Sequence, residues 1–456
     1  MAERYDVVVC GAGMAGLCAA ARAVEAGARV LVIEKGPRPG GSMRMSGGGI
    51  WTAPTMDVML EFVPGGDRVR QARLVSDILP NIEWLNRIGV PRGTTIKSDR
   101  QVGQEIDTAG MTDGLVHYVE GHGGDVATST ALEGLVRADD GPVTGVIVRE
   151  TDGKRSTIEA GAVVLATGGF QGNHELLARW VSRWADRLLR RSNPNSVGDG
   201  LLAALAIGAR TSPNLSTFYG HTMPAPPADP DPSRWTAVTQ YNSQDTILVN
   251  EQGERFFDES RSMADELAPA EIVQQPHARA FLLIDQRIYG DEPVSGRSPT
   301  PAQPNFDNAV AAGAPYVKAE TIEALADGMA AWGVSRRGLI ATLTEYNGAV
   351  AAGRGAELRI PRTRSQIGLV KPPFHALAVR PGITYTYGGI DVDTEQRVLD
   401  RAGQPIPGLW AAGADAGGTF QGGYMGGLVL GTVQGPIAGA AAAAFARTSG
   451  TGPAGS

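Results

Sequence analysis

An α/β fold is what this 456-residue chain predicts, and three observations predict it. The first is the opening stretch, Arg4 to Gly36. There a run of β-formers, Val7 to Val9, meets Gly11-Ala-Gly13-Met-Ala-Gly16, then an alanine-rich helical pattern, then a second apolar run, Val30 to Ile33, closed by Glu34. The second is the recurrence of apolar strands that end in small residues: Ala162 to Leu165 before Ala166-Thr167-Gly168-Gly169, and Ile406 to Ala412 before Gly413-Ala-Asp415. The third is composition: 42% hydrophobic and 20% charged residues, with length enough for two or three cores.

Each element has its reason. In the first unit Gly11 allows the tight strand-to-helix turn, Gly13 lets backbone approach a pyrophosphate, and Gly16 permits close helix–strand packing. The helix that follows presents free N–H groups and its positive dipole end to phosphates. Glu34, 18 residues beyond Gly16, can accept hydrogen bonds from ribose hydroxyls. Together these predict a Rossmann-like dinucleotide-binding unit. Pro39-Gly-Gly41-Ser42-Met-Arg-Met-Ser46-Gly47-Gly48-Gly-Ile50 carries a glycine density suited to backbone wrapping a ligand, the alternative being a mobile loop. A nicotinamide dehydrogenase needs no glycine-marked strand ends at both extremities of the chain; an elongated FAD laid along the sheet does. Farther on, Ser212 to Arg234 is proline-rich and non-periodic, as in a loop leaving a domain, and Pro293 to Pro315 reads as a long surface loop. Thr321 to Tyr346 reads as two short amphipathic helices broken near Gly333 to Gly338. Pro361 to Pro373 carries the chain back. A last alanine-rich helix is expected to end near Arg447, leaving SGTGPAGS as a disordered tail.

Composition also excludes. A net charge of −7 gives no electrostatic reason to expect nucleic acid or anionic membrane as a partner. Cys10 and Cys18, the two cysteines, are expected as buried apolar residues, with no companion cluster for zinc or haem. No constellation of His, Asp and Glu has metal-ligand spacing, so no metal is expected. The chain enters a strand at once with no signal peptide, and no apolar run reaches the roughly 20 residues of a bilayer span. The expected location is the cytoplasm, without membrane insertion; the oligomeric state is left open.

These segments, with VGDGLLAALAIGA at 197–209 and TILVNEQGERFFDES at 246–260, resemble the fumarate reductase / succinate dehydrogenase / 3-ketosteroid dehydrogenase flavoproteins, from about Arg4 to Ala446 and in the same order. The resemblance implies a discontinuous Rossmann-like FAD-binding domain of the GR2 type, residues 1–205 and 362–447. It also implies an inserted α+β cap for substrate, 206–361, and a disordered tail, 448–456. The FAD contacts it carries over are Gly11, Gly13, Ala15, Gly16, Glu34, Lys35, Gly41, Ser42, Ser46, Gly47 and Gly48. Val126, in DVATSTALEGL, offers backbone groups to the adenine. Ala166, Thr167, Gly168, Asp199 and Gly413 serve the pyrophosphate and isoalloxazine side, and the helix head at Leu428 and Val429 faces flavin N1/O2. Where the family has Glu after the AAG triplet this chain has Ala414, so Asp415 is expected to reach the ribityl hydroxyls instead. The His of a covalent flavin link is absent from SMRMS, which implies non-covalent FAD.

At the catalytic site the chain departs from the dicarboxylate members. Those hold substrate carboxylates with two His and an Arg, and protonate carbon with another Arg fed by a Glu–Arg relay. His221 matches the first His by spacing, and Tyr385 stands at the second, in Tyr385-Thr-Tyr387-Gly-Gly389. The clamping Arg falls on Tyr424, or on Gln421 with two residues deleted; no Arg occurs between Arg401 and Arg447. The relay lands on Thr239 and Asn242, and the proton-donating Arg on Arg261 or, in another register, Ala270. Two anionic carboxylates in a desolvated pocket need bidentate cationic partners. Their loss points to a neutral carbonyl: one phenol donates to the ketone oxygen, a second removes the α-proton directly or through a relay, and hydride leaves the β-carbon for flavin N5. Tyr424-Met-Gly-Gly427 resembles the Tyr-Pro-Gly turn of the ketosteroid enzymes, whose base Tyr is replaced by Met263.

The site set is therefore Tyr424, Tyr385, Arg261 and His221 for catalysis, and Tyr387, Tyr241, His375 and Gly427 for substrate. The competing readings are strand packing for Tyr385 and Tyr387, a surface position for His221, an ion pair with Asp258 or Glu259 for Arg261, and a core position for His375. The expected activity is FAD-dependent dehydrogenation of a C–C bond α,β to a carbonyl in a cyclic or steroid-like ketone. The runner-up is reduction of an α,β-unsaturated monocarboxylate with His221 and Arg261 on the carboxylate, and the third reading is a non-catalytic flavoprotein. The partners are a small-molecule substrate and an electron acceptor left open among O2, a quinone and a redox partner.

Overall fold

The computed structural model describes residues 4–291 and 302–449. By its internal contacts the chain forms two compact units: residues to Leu176, Ser192–Phe218 and from Tyr385 in the first, and Leu177–Arg191 with Tyr219–Thr384 in the second.

In the first unit the opening strand, Arg4–Cys10, lies between Val30–Ile33 and Arg155–Leu165, both parallel to it. Asp125–Ala127 extends the sheet beyond Val30–Ile33, and Pro405–Ala411 extends it beyond Arg155–Leu165, again in parallel. The register aligns Cys10 with Ile33 and Leu165, and Leu165 with Ala411. Gly11, Glu34, Ala166 and Ala412 therefore all leave the sheet at one edge, the carboxyl ends of the strands, where open parallel sheets bind ligands.

The C-terminal helix, Leu428–Ser449, packs on Met14–Glu25 through small residues. A Cβ at Gly431, Gly435 or Gly439 would lie 2.7, 2.5 or 2.1 Å from backbone atoms of Ala15, Ala15 and Ala19. Glycines four apart share a helix face, so this spacing lets the two backbones touch. No apolar run of membrane length was expected, yet Leu428–Thr448 is long and apolar enough by length and composition; 67% of it is buried within the protein. Its alanines and glycines make it apolar because they serve close packing. The helix also includes Thr448 and Ser449, and residues 450–456 of the expected tail lie outside the described residues.

The long strand Phe374–Thr386, whose residues to Thr384 belong to the second unit, pairs antiparallel with Ala280–Asp285 and Tyr316–Ala319, and parallel with Leu189–Arg190. Ile247–Val249 lies outside Ala280–Asp285. Alternation puts Phe281, Leu283, Ala376 and Ala378 in one core with Leu325, Leu339 and Tyr346, and Leu282, Ile284, Leu377 and Val379 in another with Ala268, Ile272 and Phe306. Both faces of this sheet are thus covered. The unit shares 219–361 with the expected cap but also takes 177–191 and 362–384, the latter because Ala280–Asp285 bonds Phe374–Val379 along its whole length, while 206–218 group with the first unit.

Two expected loops are in part regular. Phe218–Pro224 is a strand within the proline-rich stretch, its aromatic and β-branched residues outweighing the flanking prolines. Gln303–Ala311 is a helix with Phe306 and Ala309 buried; the preceding part of that expected loop, 293–301, lies outside the described residues. The helical pair runs Ile322–Ala330 and Arg336–Ala351, the second longer than expected because its N-cap Ser335 starts it cleanly and buried Leu339, Leu343 and Tyr346 sustain it.

A charged knot ties the second unit together. Glu259, fully buried, is bonded by Arg255 and by Arg362 at 3.3 Å, and accepts Leu248 N–H at 3.0 Å. Arg255 also reaches the carbonyls of Ile360 and Pro361, and Arg362 those of Gln244, Thr246 and Ser365. Two loops distant in the chain are held by one carboxylate and two guanidinium forks.

Candidate active site

The first unit builds a nucleotide cradle at the carboxyl edge of its sheet. Gly11 sits at φ +107°, and a Cβ there would lie 2.2 Å from the Ala166 carbonyl oxygen; one at Gly16 would lie 1.8 Å from that of Gly11. Only glycine lets the opening turn and the strand end at Ala166 touch. Gly13 caps the helix Met14–Glu25, and a Cβ on it would point into open space. The N–H groups of Met14, Ala15 and Gly16, at the head of this helix, have no intrahelical acceptor and are free for an anion. Ala15 backs onto Gly413, whose Cβ position is 2.8 Å from the Ala15 methyl.

Glu34 is buried at the end of its strand, accepting Ala12 N–H at 2.9 Å and Gly36 N–H at 2.7 Å. A carboxylate has lone pairs beyond those two, so it can brace the turn and still accept from a ribose. Lys35 and Asp199, both expected on the cofactor, bond each other at 2.9 Å. Of the glycine loop, Gly41 lies against Gly13, Ser42 and Gly47 are exposed, and a Cβ at Gly48 would strike the Ile106 carbonyl oxygen at 2.2 Å. Ser46 spends its hydroxyl on its own loop, donating to Met43 O and accepting from Gly48 N–H. Val126 lies beside Val32 in the sheet. These residues fit FAD: open space where the glycine loop meets Gly13, unused helix-head donors for a pyrophosphate, and a buried carboxylate at the strand end for a ribose.

Asp415, expected on the ribityl hydroxyls, braces the strand end: its carboxylate accepts the Thr167 N–H at 2.5 Å and the hydroxyl at 2.9 Å, while Thr167 accepts Gly200 N–H at 3.0 Å. It thus pins the strand end at Thr167–Gly168 to the head of the helix Asp199–Ala206. Burial, with the charge of Asp199, pushes its pKa from 3.8 up to about 7 against the pull of the Thr167 hydrogen bonds. The folded state then prefers the protonated acid. The resulting stabilisation is complete below about pH 3.8 and is lost as pH rises to about 7, a difference on the order of 4 kcal/mol. Asp415→Asn should flatten this fall; thermal midpoints of both proteins at intervals between about pH 4 and pH 7.5 check it.

An aromatic cluster stands in the same unit. The Tyr385 and Tyr387 rings meet edge to face at 5.6 Å, Tyr385 and Tyr424 lie 6.3 Å apart, and Phe420 is 6.4 Å from Tyr387 and 6.5 Å from Tyr424. Trp51 closes the set, 5.5 Å from Tyr424. A Cβ at Gly427 would point between the two phenols, 3.5 Å from the Tyr424 hydroxyl and 3.4 Å from Tyr385 Cε1, beside the helix head at Leu428 and Val429. The Tyr385 hydroxyl oxygen is out of solvent, and burial, with Tyr387 and Tyr424 alongside, raises its pKa well above the usual 10. It keeps its proton at neutral pH. Trp51 and Phe420 were not anticipated; their signals were the indole directly after the glycine loop and the aromatic within Gly-Gly-Thr-Phe-Gln-Gly-Gly-Tyr.

The second unit holds the other expected residues. His221 is buried, with Tyr219 Oη 2.9 Å from its Nε2 and the Tyr241 ring 5.1 Å away. Tyr219 was missed, although i and i+2 on a strand share a face. His375 is a core residue on Phe374–Thr386, stacked on Tyr289 at 4.3 Å, and burial lowers its pKa to about 4. Arg261 is exposed, and neither expected ion pair forms: Glu259 belongs to Arg255 and Arg362, and Asp258 accepts from Ser260 and Thr363. Thr239 donates to the Trp235 carbonyl. Among the described residues no group of His, Cys, Asp and Glu could hold a metal ion, and both cysteines are buried with their thiol pKa values raised.

Residues 89–427 match the family described as FAD binding domain, and residues 6–169 match FAD dependent oxidoreductase. The chain is 28% identical over 441 residues to the probable fumarate reductase Ifc3 of Shewanella frigidimarina, covering 91% of this chain and 70% of that protein. It is 30% identical over 456 residues to the vinyl phenol reductase of Lactiplantibacillus plantarum, covering 91% and 90%. Its fold is that of the 3-ketosteroid Δ4-(5α)-dehydrogenase of Rhodococcus jostii, TM-score 0.73 at 24% identity, over 96% of this chain and 97% of that one. The chain belongs to the FAD binding domain family and is an FAD-dependent oxidoreductase.

Proposed function

From membership of that family we propose that this enzyme dehydrogenates the C–C bond α,β to the carbonyl of a flat cyclic ketone, with the first unit as FAD-binding domain and the second as cap. One observation carries the reading: the position beside Gly426–Gly427 is a tyrosine within an aromatic cluster, and no Arg or Lys stands between Arg401 and Arg447. An anionic substrate there would lose its water without gaining a cation, whereas a neutral ketone needs only a donor.

The roles follow from the chemistry of the groups. The Tyr424 hydroxyl, with the N–H groups at the head of Leu428–Ser449, donates to the ketone oxygen and stabilises the negative charge that grows on it. Tyr385, which retains its proton at neutral pH, works as a relay: its oxygen accepts the α-proton while its own proton passes to a water molecule that carries it to solvent. FAD, held non-covalently by the cradle around Gly13, supplies the acceptor for the hydride that leaves the β-carbon. Tyr387 and Phe420 complete an uncharged wall. An external acceptor (O2, a quinone or a redox partner) takes the electrons onward.

Hydrogenation of an uncharged alkene by the same phenols in reverse is the second reading. It is favoured by the vinyl phenol reductase relative, whose named substrate is an uncharged ring-bearing alkene. Anaerobic mixing separates the two. Saturated cyclic ketones should bleach the oxidised flavin. If ketones leave the flavin oxidised while vinyl phenols reoxidise the reduced enzyme, the second reading replaces the first; reoxidation by enoates alone would sink both.

A further inference from the structure

Trp51 lies in the strand Gly49–Thr52, directly after the glycine loop, and three features tie it to Tyr424. Its indole meets the Tyr424 ring edge to face, with centroids 5.5 Å apart and planes at 89°. It stands nearer to Tyr424 than Tyr385 and Phe420 do, at 6.3 and 6.5 Å. Its backbone also seats the turn that carries Tyr424: Gly426 is at φ +93°, and a Cβ there would lie 2.0 Å from the Trp51 carbonyl oxygen. The indole itself folds back over Gly49, where a Cβ would come within 2.7 Å of Cδ1 and 2.9 Å of Nε1. Trp51 remains half-buried.

A phenol oxygen lies on the axis of its ring, so its place is set by χ1 and by the backbone that carries it, and a neighbour packed against both ring and backbone fixes it. Donor placement matters steeply, because a displacement of about 1 Å at a reacting group can cost about 100-fold in rate. An indole also offers a broad apolar face and no charge. We propose that Trp51 is a positioning and specificity residue of this site: it holds the Tyr424 hydroxyl over Gly427 and supplies the wall against which a flat, uncharged ring system lies. The proposal rests on the ketone reading for its substrate class, but its geometry involves the protein alone.

The test uses the FAD-loaded full chain and the variants Trp51→Ala, Trp51→Phe and Gly49→Ala. FAD content, thermal midpoint and the anaerobic rate of flavin reduction by mono-, bi- and tetracyclic ketones are measured. Trp51→Ala should retain FAD yet reduce about 10- to 100-fold more slowly, with its preference among mono-, bi- and tetracyclic ketones changed. Trp51→Phe, which keeps an aromatic face, should recover most of the rate. Gly49→Ala pushes the indole aside without removing it and should fall between wild type and Trp51→Ala. The proposal is overturned if Trp51→Ala matches wild type in rate and ring-size preference, or if the Ala and Phe variants lose rate and FAD together. Should no ketone bleach the wild-type flavin, the ketone reading fails by itself. The Trp51 proposal is then judged by the dissociation constant of p-cresol, read from the flavin absorbance shift: about tenfold weakening in Trp51→Ala but not in Trp51→Phe supports it, and equal binding by all variants removes it.

Discussion

Tyr424→Phe is expected to lower the rate of ketone-driven flavin reduction by about 10²- to 10³-fold while leaving FAD content unchanged, the usual cost of removing one donor to a growing oxyanion. The substitution takes away a single oxygen. The ring stays between Trp51, Phe420 and Tyr385, so its packing should survive. The Gly426–Gly427 turn, held on the Trp51 backbone, has no reason to move. A loss confined to the reduction step, with little change in ketone affinity, marks a hydroxyl whose bond strengthens in the transition state. A loss below about threefold would mean that Tyr424 only packs. Tyr385→Phe makes the companion measurement, because a relay needs its oxygen to carry a proton whereas a ring wall does not. If the two phenols act on one substrate, the double variant should fall well short of the product of the single losses.

Glu259→Ala should be the most damaging change to the second unit, costing about 3–5 kcal/mol in chemical denaturation, as breaking one partner out of a buried ion pair does. Glu259 is fully buried between Arg255 and Arg362, both almost without exposure, and its removal leaves two guanidinium groups without their anion. It also deprives Leu248 of an acceptor in the strand Ile247–Val249. Glu259→Gln keeps a hydrogen-bonding side chain and should lose distinctly less than the alanine variant. Replacing all three charged residues by apolar ones would not restore stability, because Arg255 and Arg362 together satisfy carbonyls at Gln244, Thr246, Ile360, Pro361 and Ser365. A Glu259→Ala protein with a wild-type midpoint would show that the knot is dispensable.

Much of the cofactor cradle was legible in the chain because its logic is local. Gly11, Gly13 and Gly16 are spaced for one turn of backbone, and the helix and strand that flank them follow from adjacent residues. The extents of the two units depend on long-range pairing: only the hydrogen bonds of the strand Phe374–Thr386 tie its residues 374–384 to the second unit. The bracing role of Asp415 was not legible for a similar reason. Its partner Thr167 stands 248 positions away, and nothing beside Asp415 in the chain indicates that its carboxylate turns inward. His375 carries no local mark either, since the aromatic stack that buries it is assembled from three segments.

The sequence by itself determined the cofactor class and the loss of positive charge at the expected carboxylate clamp. Backbone turns that require glycine announce themselves in residue type, and a stretch without Arg or Lys has none in any fold. The tertiary structure alone decided which rings meet and which way each carboxylate faces. Trp51 and Tyr424 touch because the parallel sheet and the C-terminal helix bring opposite ends of the chain together, and Tyr385 holds its proton because that assembly takes its hydroxyl away from water. Contact and desolvation belong to the packed molecule, and no local pattern of residues encodes them.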